Sequence, residues 1–309
     1  MIVTLTPSTA IDYTLKTRSF ELNATIRADE CAWGMGGKPT DAAWILGKLG
    51  VPSKALGFAG GANGRRMEAM LRERGVETDF IWTTGETRLN IVVTCSDEGQ
   101  STFTSPGLSV SADELEDLYR RYRQALEGAT CVVMGGTLPE GVPPEFYNQA
   151  ISMARALHLP VIFDSSGPAL ISGVKARPTL IKPNLDELTG LLGYRPESPD
   201  EIRQAAATLQ AEYGCSVIVT LGQDGALACL GERIYSIRPV QVPVASAAGA
   251  GDGVLAGMAL AYSRGEPLEN GLRYGFALAG AIVQTLPTAD FNLEDYEILL
   301  PQIDIILLK

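Results

Sequence analysis

Histidine, basic charge and long apolar runs are scarce in this chain of 309 residues. His158 is the only histidine, so we do not expect a mechanism built on a histidine base. Lysine and arginine total 25 against 36 aspartate and glutamate residues, a formal net charge of -11 at pH 7. This balance argues against nucleic acid as the main partner, because a phosphate backbone is bound by a surplus of basic residues.

Membrane-spanning and targeting segments are missing as well. No stretch reaches the ~20 apolar residues that a membrane span needs, and the first residues have neither a basic start nor a long apolar run. We therefore expect a cytoplasmic protein with no membrane partner. The five cysteines show no metal-ligand or redox spacing, which predicts reduced, packed thiols.

What the chain does have is an alternation of short apolar strands with longer helices. Strands are predicted at residues 2–5, 54–59, 130–134, 161–164, 180–181 and 217–221. Helices are predicted from Ser111, after Pro144, and at residues 39–49, 65–74, 186–192, 200–213 and 254–262. The alternation predicts an α/β fold, with one domain over residues 1–309 whose mostly parallel sheet carries helices on both faces.

Segments at residues 14–31 and 89–104 break this alternation. The first predicts short strands, and the second predicts a hairpin of 89–95 and 101–104 with its turn at 97–99. We expect these strands to pair into a small separate sheet. The apolar tail at 299–308 predicts either a final buried strand or an interface.

The strongest chemical signal is Ala-Ala-Gly-Ala-Gly-Asp-Gly at residues 247–253, between a strand-like stretch ending near Val244 and an apolar helix. Small residues allow a sharp turn into a helix, whose free N–H groups favour a negative charge such as a phosphate in transfer. Asp252 at that point can accept the proton of an attacking hydroxyl. An N-cap aspartate after a glycine turn explains the same pattern.

A second motif, Met35-Gly36-Gly37-Lys38, directly precedes a predicted helix. Paired glycines and a lysine suit an anionic or hydroxyl-rich ligand, although an ordinary turn fits equally well. The motif is not a P-loop of the Walker A type, because no Gly-x-x-x-x-Gly-Lys-Ser/Thr is present.

Two further motifs follow predicted strands. Lys182-Pro183-Asn184-Leu185-Asp186-Glu187 places an amide and a carboxylate three residues apart, which can hold Mg²⁺ through water. A helix cap explains that pair too. The stretch Thr220 to Ala226 is a strand end with a glycine turn. Asp12 and Arg88, each considered alone, are interpreted as surface charges.

Together and in order, these motifs resemble the PfkB (ribokinase-like) family of carbohydrate kinases over residues 2–284. The segments 6–12, 87–90, 136–142 and 164–167 are similar to the phosphofructokinase/tagatose-6-phosphate kinase branch. The resemblance implies a ribokinase-like fold, ATP and Mg²⁺ as cofactors, and a monovalent cation as a further candidate. It also implies a β-sheet lid, formed by segments 12–32 and 86–106, that pairs two subunits into a homodimer.

The resemblance implies a role for each motif residue. Asp252 would be the base, with an anion hole after Gly249 made by the N–H groups of Ala250, Gly251 and Asp252. The acceptor would contact Asp12, Arg27, Gly36, Gly37, Lys38, Asp41, Arg88 and Thr137, of which Lys38, Arg88 and Arg27 would hold its phosphate. The nucleotide would contact Lys182, Asn184, Thr220, Gly222 and Gly225, and Asn184 and Glu187 would serve Mg²⁺ through water.

This chain departs from the branch pattern in places. Pro39 and Asp41 replace glycine and asparagine of the usual Gly-Gly-Lys-Gly-x-Asn, and an ionised aspartate accepts hydrogen bonds without donating and repels a nearby phosphate. Thr137 replaces a serine, and segment 282–288 lacks a glycine often found there. The acceptor therefore stays open between a ketohexose phosphate and an unphosphorylated sugar or nucleoside. A non-catalytic sugar or nucleotide sensor is the third reading.

Overall fold

Fourteen strands build two sheets in a computed structural model that describes residues 1–95 and 99–309. Residues 97 and 98 of the predicted hairpin turn lie outside the described residues. The strands are β1 (Ile2–Ser8), β2 (Ala10–Thr17), β3 (Glu30–Gly36), β4 (Ser53–Ala59), β5 (Glu77–Trp82), β6 (Arg88–Cys95), β7 (Gly99–Thr104), β8 (Cys131–Gly135), β9 (Val161–Asp164), β10 (Leu180–Ile181), β11 (Ser216–Thr220), β12 (Ala226–Leu230), β13 (Arg233–Arg238) and β14 (Asp304–Leu307).

Helices fill most of the connections between the strands. They are α1 (Lys38–Lys48), α2 (Gly61–Glu73), α3 (Ala112–Leu126), α4 (Phe146–Ala156), α5 (Gly167–Val174), α6 (Leu185–Leu192), α7 (Pro199–Tyr213), α8 (Ala250–Arg264), α9 (Leu268–Ile282) and α10 (Leu293–Leu299). The predicted cap of α3 is confirmed, because Ser111 and Glu114 form a reciprocal capping box. No described helix is long and apolar enough to cross a bilayer.

The large sheet has ten strands in the order β14-β13-β12-β11-β10-β9-β8-β1-β4-β5. The strands from β11 to β5 run parallel, and β12, β13 and β14 add an antiparallel edge. Parallel strands share the direction in which they end, so their carboxyl ends gather the following loops at one edge. The α/β prediction with a mostly parallel sheet is confirmed.

Each face of the large sheet carries its own hydrophobic core. Cys131 and Val133 of β8 point into the core formed with α1, α2, α8, α9 and α10, whereas Val132 and Met134 point into the core formed with α3, α4, α5, α6 and α7. This alternation is the period of two that a strand buried on both faces requires.

The small sheet has the order β3-β2-β6-β7. Asp12 and Asn90 face each other across β2 and β6, and the next register row joins Trp33, Tyr13, Ile91 and Phe103 across all four strands. Successive side chains alternate between faces, so the polar row and the apolar row lie on opposite sides of the sheet.

The predictions fail in specific places. The segment 14–31 is not a run of short strands, because residues 18–29 between β2 and β3 are irregular and mostly exposed. No strand ends near Val244: β13 ends at Arg238, and Pro239 and Pro243 remove the N–H donors that a strand there would need. The apolar tail forms β14, an edge strand whose Leu307 is 57% exposed, rather than a buried one.

Candidate active site

The N-terminus of α8 is built on a glycine turn. Gly249, the N-cap, has a φ of 83°, and a β-carbon there would lie 2.4 Å from the backbone nitrogen of Ala289. Only glycine fits this position without displacing the backbone. The N–H groups of Ala250 and Gly251 make no hydrogen bond within the described residues, whereas the N–H of Asp252 already donates to the Gly249 carbonyl at 3.0 Å. The turn therefore offers an anion two free donors rather than three.

Asp252 lies in the first turn of α8 and is 9% exposed. Burial raises the pKa of its carboxyl to about 7, and the charge of Asp164 adds to this rise, while Lys182, Lys38 and a hydrogen bond from Asp41 oppose it. A carboxylate whose pKa lies near neutral is suited to taking a proton from a hydroxyl.

A closed ion network lies beside Asp252. Asp164 at the end of β9 is 1% exposed and binds the ammonium groups of Lys38 at 2.6 Å and Lys182 at 2.8 Å. Lys38 also binds Glu187 at 2.8 Å. Burial alone would raise the pKa of Asp164, but the two ammonium groups outweigh it and hold that pKa below its usual value. Lys38 is thus neutralised by carboxylates in this network instead of standing free for an acceptor phosphate.

The position of Lys182 links this network to the α8 turn. A β-carbon at Gly251 would lie 3.2 Å from the Lys182 Nζ, so the ammonium lies against the first turn of the helix. A cation and the two free N–H groups at one helix N-terminus together favour a bound anion.

Asn184 and Glu187 form the cap of α6. The Asn184 side chain accepts from the Glu187 N–H at 2.8 Å, and Glu187 Oε2 accepts from the Asn184 N–H at 2.9 Å. Thr220 lies beside this cap, paired with Asn184 in an isolated bridge. No cluster of three or more metal-ligating side chains occurs in the described part of the chain. A metal here fits as a hydrated ion held through water, because the protein oxygens are already hydrogen-bonded.

The glycines after Thr220 shape a tight turn. Gly222 and Gly225 have φ values of 62° and 88°, and a β-carbon at Gly225 would lie 2.1 Å from the Ile237 carbonyl oxygen. The turn thus packs directly on β13, at the same edge of the large sheet as the α6 cap.

A second polar cluster lies where the small sheet meets α1. Asp12 accepts a hydrogen bond from the Asn90 side chain at 2.8 Å, and a β-carbon at Gly36 would lie 2.3 Å from Asp12 Oδ1. Burial raises the pKa of Asp12 to about 6, although Asn90 and the nearby Arg88 act against the rise. Arg88 makes no ion pair within the described residues, and its Nε is buried without an acceptor.

Asp41 joins the two clusters. It is 4% exposed in the first turn of α1, and its carboxyl lies beside that of Asp252. Burial, followed by the negative charges of Asp252 and Asp12, raises its pKa well above the usual value. Its surroundings favour the neutral acid, so the phosphate repulsion expected from an ionised Asp41 is absent in that form.

Two predicted acceptor residues are not brought into these clusters. Arg27 is exposed in the irregular segment 18–29, and Thr137 is exposed in the loop after β8. Gly37, by contrast, is the N-cap of α1 with a φ of 92°. A β-carbon there would lie 3.1 Å from Thr6, so glycine at this position lets α1 begin against β1.

Sequence reasoning assigned no individual role to Asp164 or Asn90, which the structure places in the clusters. A carboxylate at a parallel strand end is a usable signal for Asp164. Thr288 was missed too: its backbone carbonyl accepts from the Met35 N–H at 3.3 Å. No local pattern marks Thr288, because only the fold brings it there.

The sequence profile of the pfkB family carbohydrate kinases matches residues 3–295. The chain belongs to this family. It is 30% identical over 293 residues to a 1-phosphofructokinase of Bacillus subtilis, covering 94% of this chain and 96% of that protein. Kinases of this family use ATP, so the chain is an ATP-using carbohydrate kinase.

Solved structures agree with this assignment. The crystal structure of a possible 1-phosphofructokinase from Thermotoga maritima superposes with a TM-score of 0.90 at 26% identity, covering 100% of this chain and 99% of that chain. Phosphofructokinase-2 from Escherichia coli, in a complex with potassium, gives a TM-score of 0.88 at 29% identity, covering 97% of this chain and 98% of that chain. The ribokinase-like fold that the motifs implied is confirmed.

Proposed function

We propose that this kinase transfers the γ-phosphate of Mg²⁺–ATP to a hydroxyl of a ketohexose phosphate, of the class of fructose 1-phosphate, fructose 6-phosphate or tagatose 6-phosphate. One observation carries the proposal. The buried Asp252, with a pKa near 7, lies at the N-terminus of α8 next to the lysine network and is joined through Asp41 to the cluster of Asp12 and Arg88. A base between a donor site and an acceptor site is what phosphoryl transfer to an alcohol requires.

The donor side would stabilise the charge that develops on the transferred phosphoryl group. The free N–H groups of Ala250 and Gly251 and the ammonium of Lys182 converge there, as preorganised donors for an oxyanion should. Asn184 and Glu187 would hold the hydrated Mg²⁺, which would neutralise the charge of the phosphates. Thr220, Gly222 and Gly225 would line the nucleotide, and a monovalent cation is a further candidate, as in the potassium complex of the Escherichia coli relative.

The acceptor side supports a substrate that already carries a phosphate. Arg88 has an unsatisfied buried donor and no ion-pair partner within the described residues, so its guanidinium is available for an anion. Asp12 lies beside Arg88, where its carboxyl would bind a sugar hydroxyl. The relative from Bacillus subtilis is named a 1-phosphofructokinase. Thr137 and Arg27 would become part of the acceptor site only if the acceptor or a second subunit reaches them.

A second candidate is a kinase for an unphosphorylated sugar or nucleoside. The crowding of Asp12, Asp41 and Asp252 favours it, because three carboxyl groups accept hydrogen bonds from hydroxyls and do not attract a phosphate. Arg88, which has no ion-pair partner within the described residues, argues for the phosphorylated acceptor.

The small sheet would act as a lid and pair two subunits in a cytoplasmic homodimer. Its outward row ends in Phe103, which is 54% exposed and lies 6.2 Å from the ring of Phe20. Phe103 is exposed, and Trp33, Tyr13 and Ile91 of the same row are half-buried. An exposed aromatic beside partly exposed apolar side chains is what an interface would cover. We expect sedimentation to show a dimer for the wild type and a monomer for Phe103→Glu. Leu157→Glu, at an exposed apolar residue on α4's end, should stay dimeric; a dimeric Phe103→Glu variant would place the interface elsewhere.

The test of function is ADP release from Mg²⁺–ATP with fructose 1-phosphate, fructose 6-phosphate, tagatose 6-phosphate, free fructose, ribose and adenosine. Turnover confined to a phosphorylated ketohexose supports the proposal. Turnover confined to an uncharged acceptor supports the second candidate. Binding of ATP and sugar without turnover would indicate a sensor and overturn both.

A further inference from the structure

The carboxyl groups of Asp41 and Asp252 form a buried pair between two helix N-termini. Asp41 lies in the first turn of α1 and Asp252 in the first turn of α8, and these two helices pack against each other. The two buried carboxyls lie close enough for each to act on the pKa of the other. Two adjacent buried carboxylates repel each other, so one member of the pair is favoured in its protonated form.

The surrounding charges decide which carboxyl carries the proton. Asp252 faces the ammonium groups of Lys182 and Lys38 as well as Asp164, whereas Asp41 faces the carboxyls of Asp252 and Asp12. Arg88 acts on Asp12 and not directly on the pair. An ionised form is favoured near cations and disfavoured near like charges, so the charge belongs on Asp252 and the proton on Asp41.

A second observation agrees with a neutral Asp41. Its Oδ1 is buried, and no group within the described residues donates to it. A buried carboxylate oxygen without a donor is costly, whereas the carbonyl oxygen of a neutral acid tolerates this better.

We propose that Asp41 is a positioning residue whose protonated carboxyl donates a hydrogen bond to Asp252 and orients that carboxylate toward the acceptor hydroxyl. With one Asp252 oxygen held by Asp41, the other is left to receive the hydroxyl proton. This role rests on the proposed function, because Asp252 must be the base for its orientation to matter. Loss of the Asp41 proton at alkaline pH leaves two adjacent carboxylates, removes the hydrogen bond and lowers turnover.

Two variants separate this role from simple packing. Asp41→Asn keeps a donor of nearly the same size but cannot ionise, and Asp41→Leu keeps the branched shape without a donor, in a larger side chain. With the best acceptor of the panel, Asp41→Asn should lack the alkaline decline in kcat that the wild type shows, and its kcat near neutral pH should exceed that of Asp41→Leu. Asp41→Leu should lose about 10²-fold in kcat, as a misplaced catalytic group does, with the KM for Mg²⁺–ATP unchanged. Equal losses in both variants, or an alkaline decline that persists in Asp41→Asn, would overturn the proposal.

An infrared measurement tests the pair without any turnover. The difference spectrum of the full-length wild type minus Asp41→Asn near neutral pH should contain the C=O stretch of a protonated carboxylic acid. A difference showing only carboxylate bands would mean that Asp41 is ionised, and the proposal would fail even if the kinase assay succeeded. Conversely, an acid band in a chain that phosphorylates no acceptor would overturn the function while leaving the protonated pair intact. If near-ultraviolet circular dichroism shows that Asp41→Leu does not fold, the pH profile of Asp41→Asn and the infrared band still test whether Asp41 is protonated.

Discussion

The two sides of the site treat buried charge in opposite ways. On the donor side, Asp164 forms ion pairs with Lys38 at 2.6 Å and Lys182 at 2.8 Å. Glu187 forms an ion pair with Lys38 as well. On the acceptor side, the carboxyls of Asp12 and Asp252 flank that of Asp41, and Arg88 lacks an acceptor for its Nε within the described residues. The donor side pairs its charged side chains with one another and keeps only backbone N–H groups free, whereas the acceptor side has buried side-chain groups still to be satisfied.

This contrast indicates what each side is built to do. A matched network holds its side chains in place before a ligand arrives, which suits groups that must meet a phosphoryl group in a fixed geometry. Unsatisfied donors and acceptors raise the free energy of the empty pocket, and an acceptor that pairs with them recovers that energy. The specificity of the kinase should therefore depend on the acceptor side.

The largest expected effect comes from the residue shared by both sides. Asp252→Asn should lower kcat by about 10²–10⁴-fold because the general base is lost, while the Kd for Mg²⁺–ATP stays near the wild-type value. Asp200→Asn, at an exposed surface pair, is the matched control and should change neither quantity. Near-normal kcat in Asp252→Asn would remove this residue from the base role.

Breaking the donor network should destabilise the fold. Asp164→Asn leaves Lys38 and Lys182 without their shared carboxylate, and a broken buried ion pair costs about 3 kcal/mol. Urea unfolding should show this loss in the free energy of unfolding. Asp186→Asn removes an exposed pair with Arg195 and should cost under about 1 kcal/mol. Equal effects of the two variants would mean that the network does not stabilise the folded protein.

Acceptor binding should weaken when the free cation is removed. Arg88→Gln should raise the KM for the phosphorylated acceptor roughly tenfold to a hundredfold, the range for a lost charge-assisted hydrogen bond, and leave the KM for ATP unchanged. Arg66→Gln serves as control, because Arg66 stacks on Trp33 at 4.2 Å outside the two clusters. An unchanged acceptor KM in Arg88→Gln would favour an uncharged acceptor.

The crowded acceptor side should also make stability depend on pH. The pKa values of Asp12 and Asp252 are raised from 3.8 to about 6 and about 7, so the folded protein keeps protons that the unfolded chain has released. The free energy of unfolding should therefore fall as pH rises, by roughly 4 kcal/mol between about pH 5 and about pH 8. The free energy of unfolding of Asp252→Asn should fall less steeply over the same pH range. A rise in stability across it would contradict the burial of these carboxyl groups.

The layered fold followed from alternating apolar strands and helices, yet some elements escaped prediction. β12 and β13 are joined by the two residues Gly231 and Glu232, and a two-residue turn that begins with glycine is a hairpin signal that the sequence contains. The expected strand near Val244 failed for a different reason: valines spaced among prolines imitate a strand, although proline cannot take part in its hydrogen bonding.

For the site, the motifs identified residues but not their partners. Lys38 was expected at the acceptor phosphate, and it binds Asp164, which lies 126 positions away in the chain. The pairing of Asp41 with Asp252 likewise depends on the packing of α1 against α8. Local patterns carry turn and cap chemistry, but ion pairs between distant segments are decided by tertiary packing.

Phosphoryl transfer to a ketohexose phosphate is tested most directly by a phosphorus NMR spectrum of the wild-type kinase with Mg²⁺, ATP and fructose 1-phosphate. We expect ATP to be converted to ADP as a second phosphomonoester resonance of the sugar grows, in an amount equal to the ADP. Inorganic phosphate in place of the new ester, or unchanged ATP with this and the other ketohexose phosphates, would contradict this transfer.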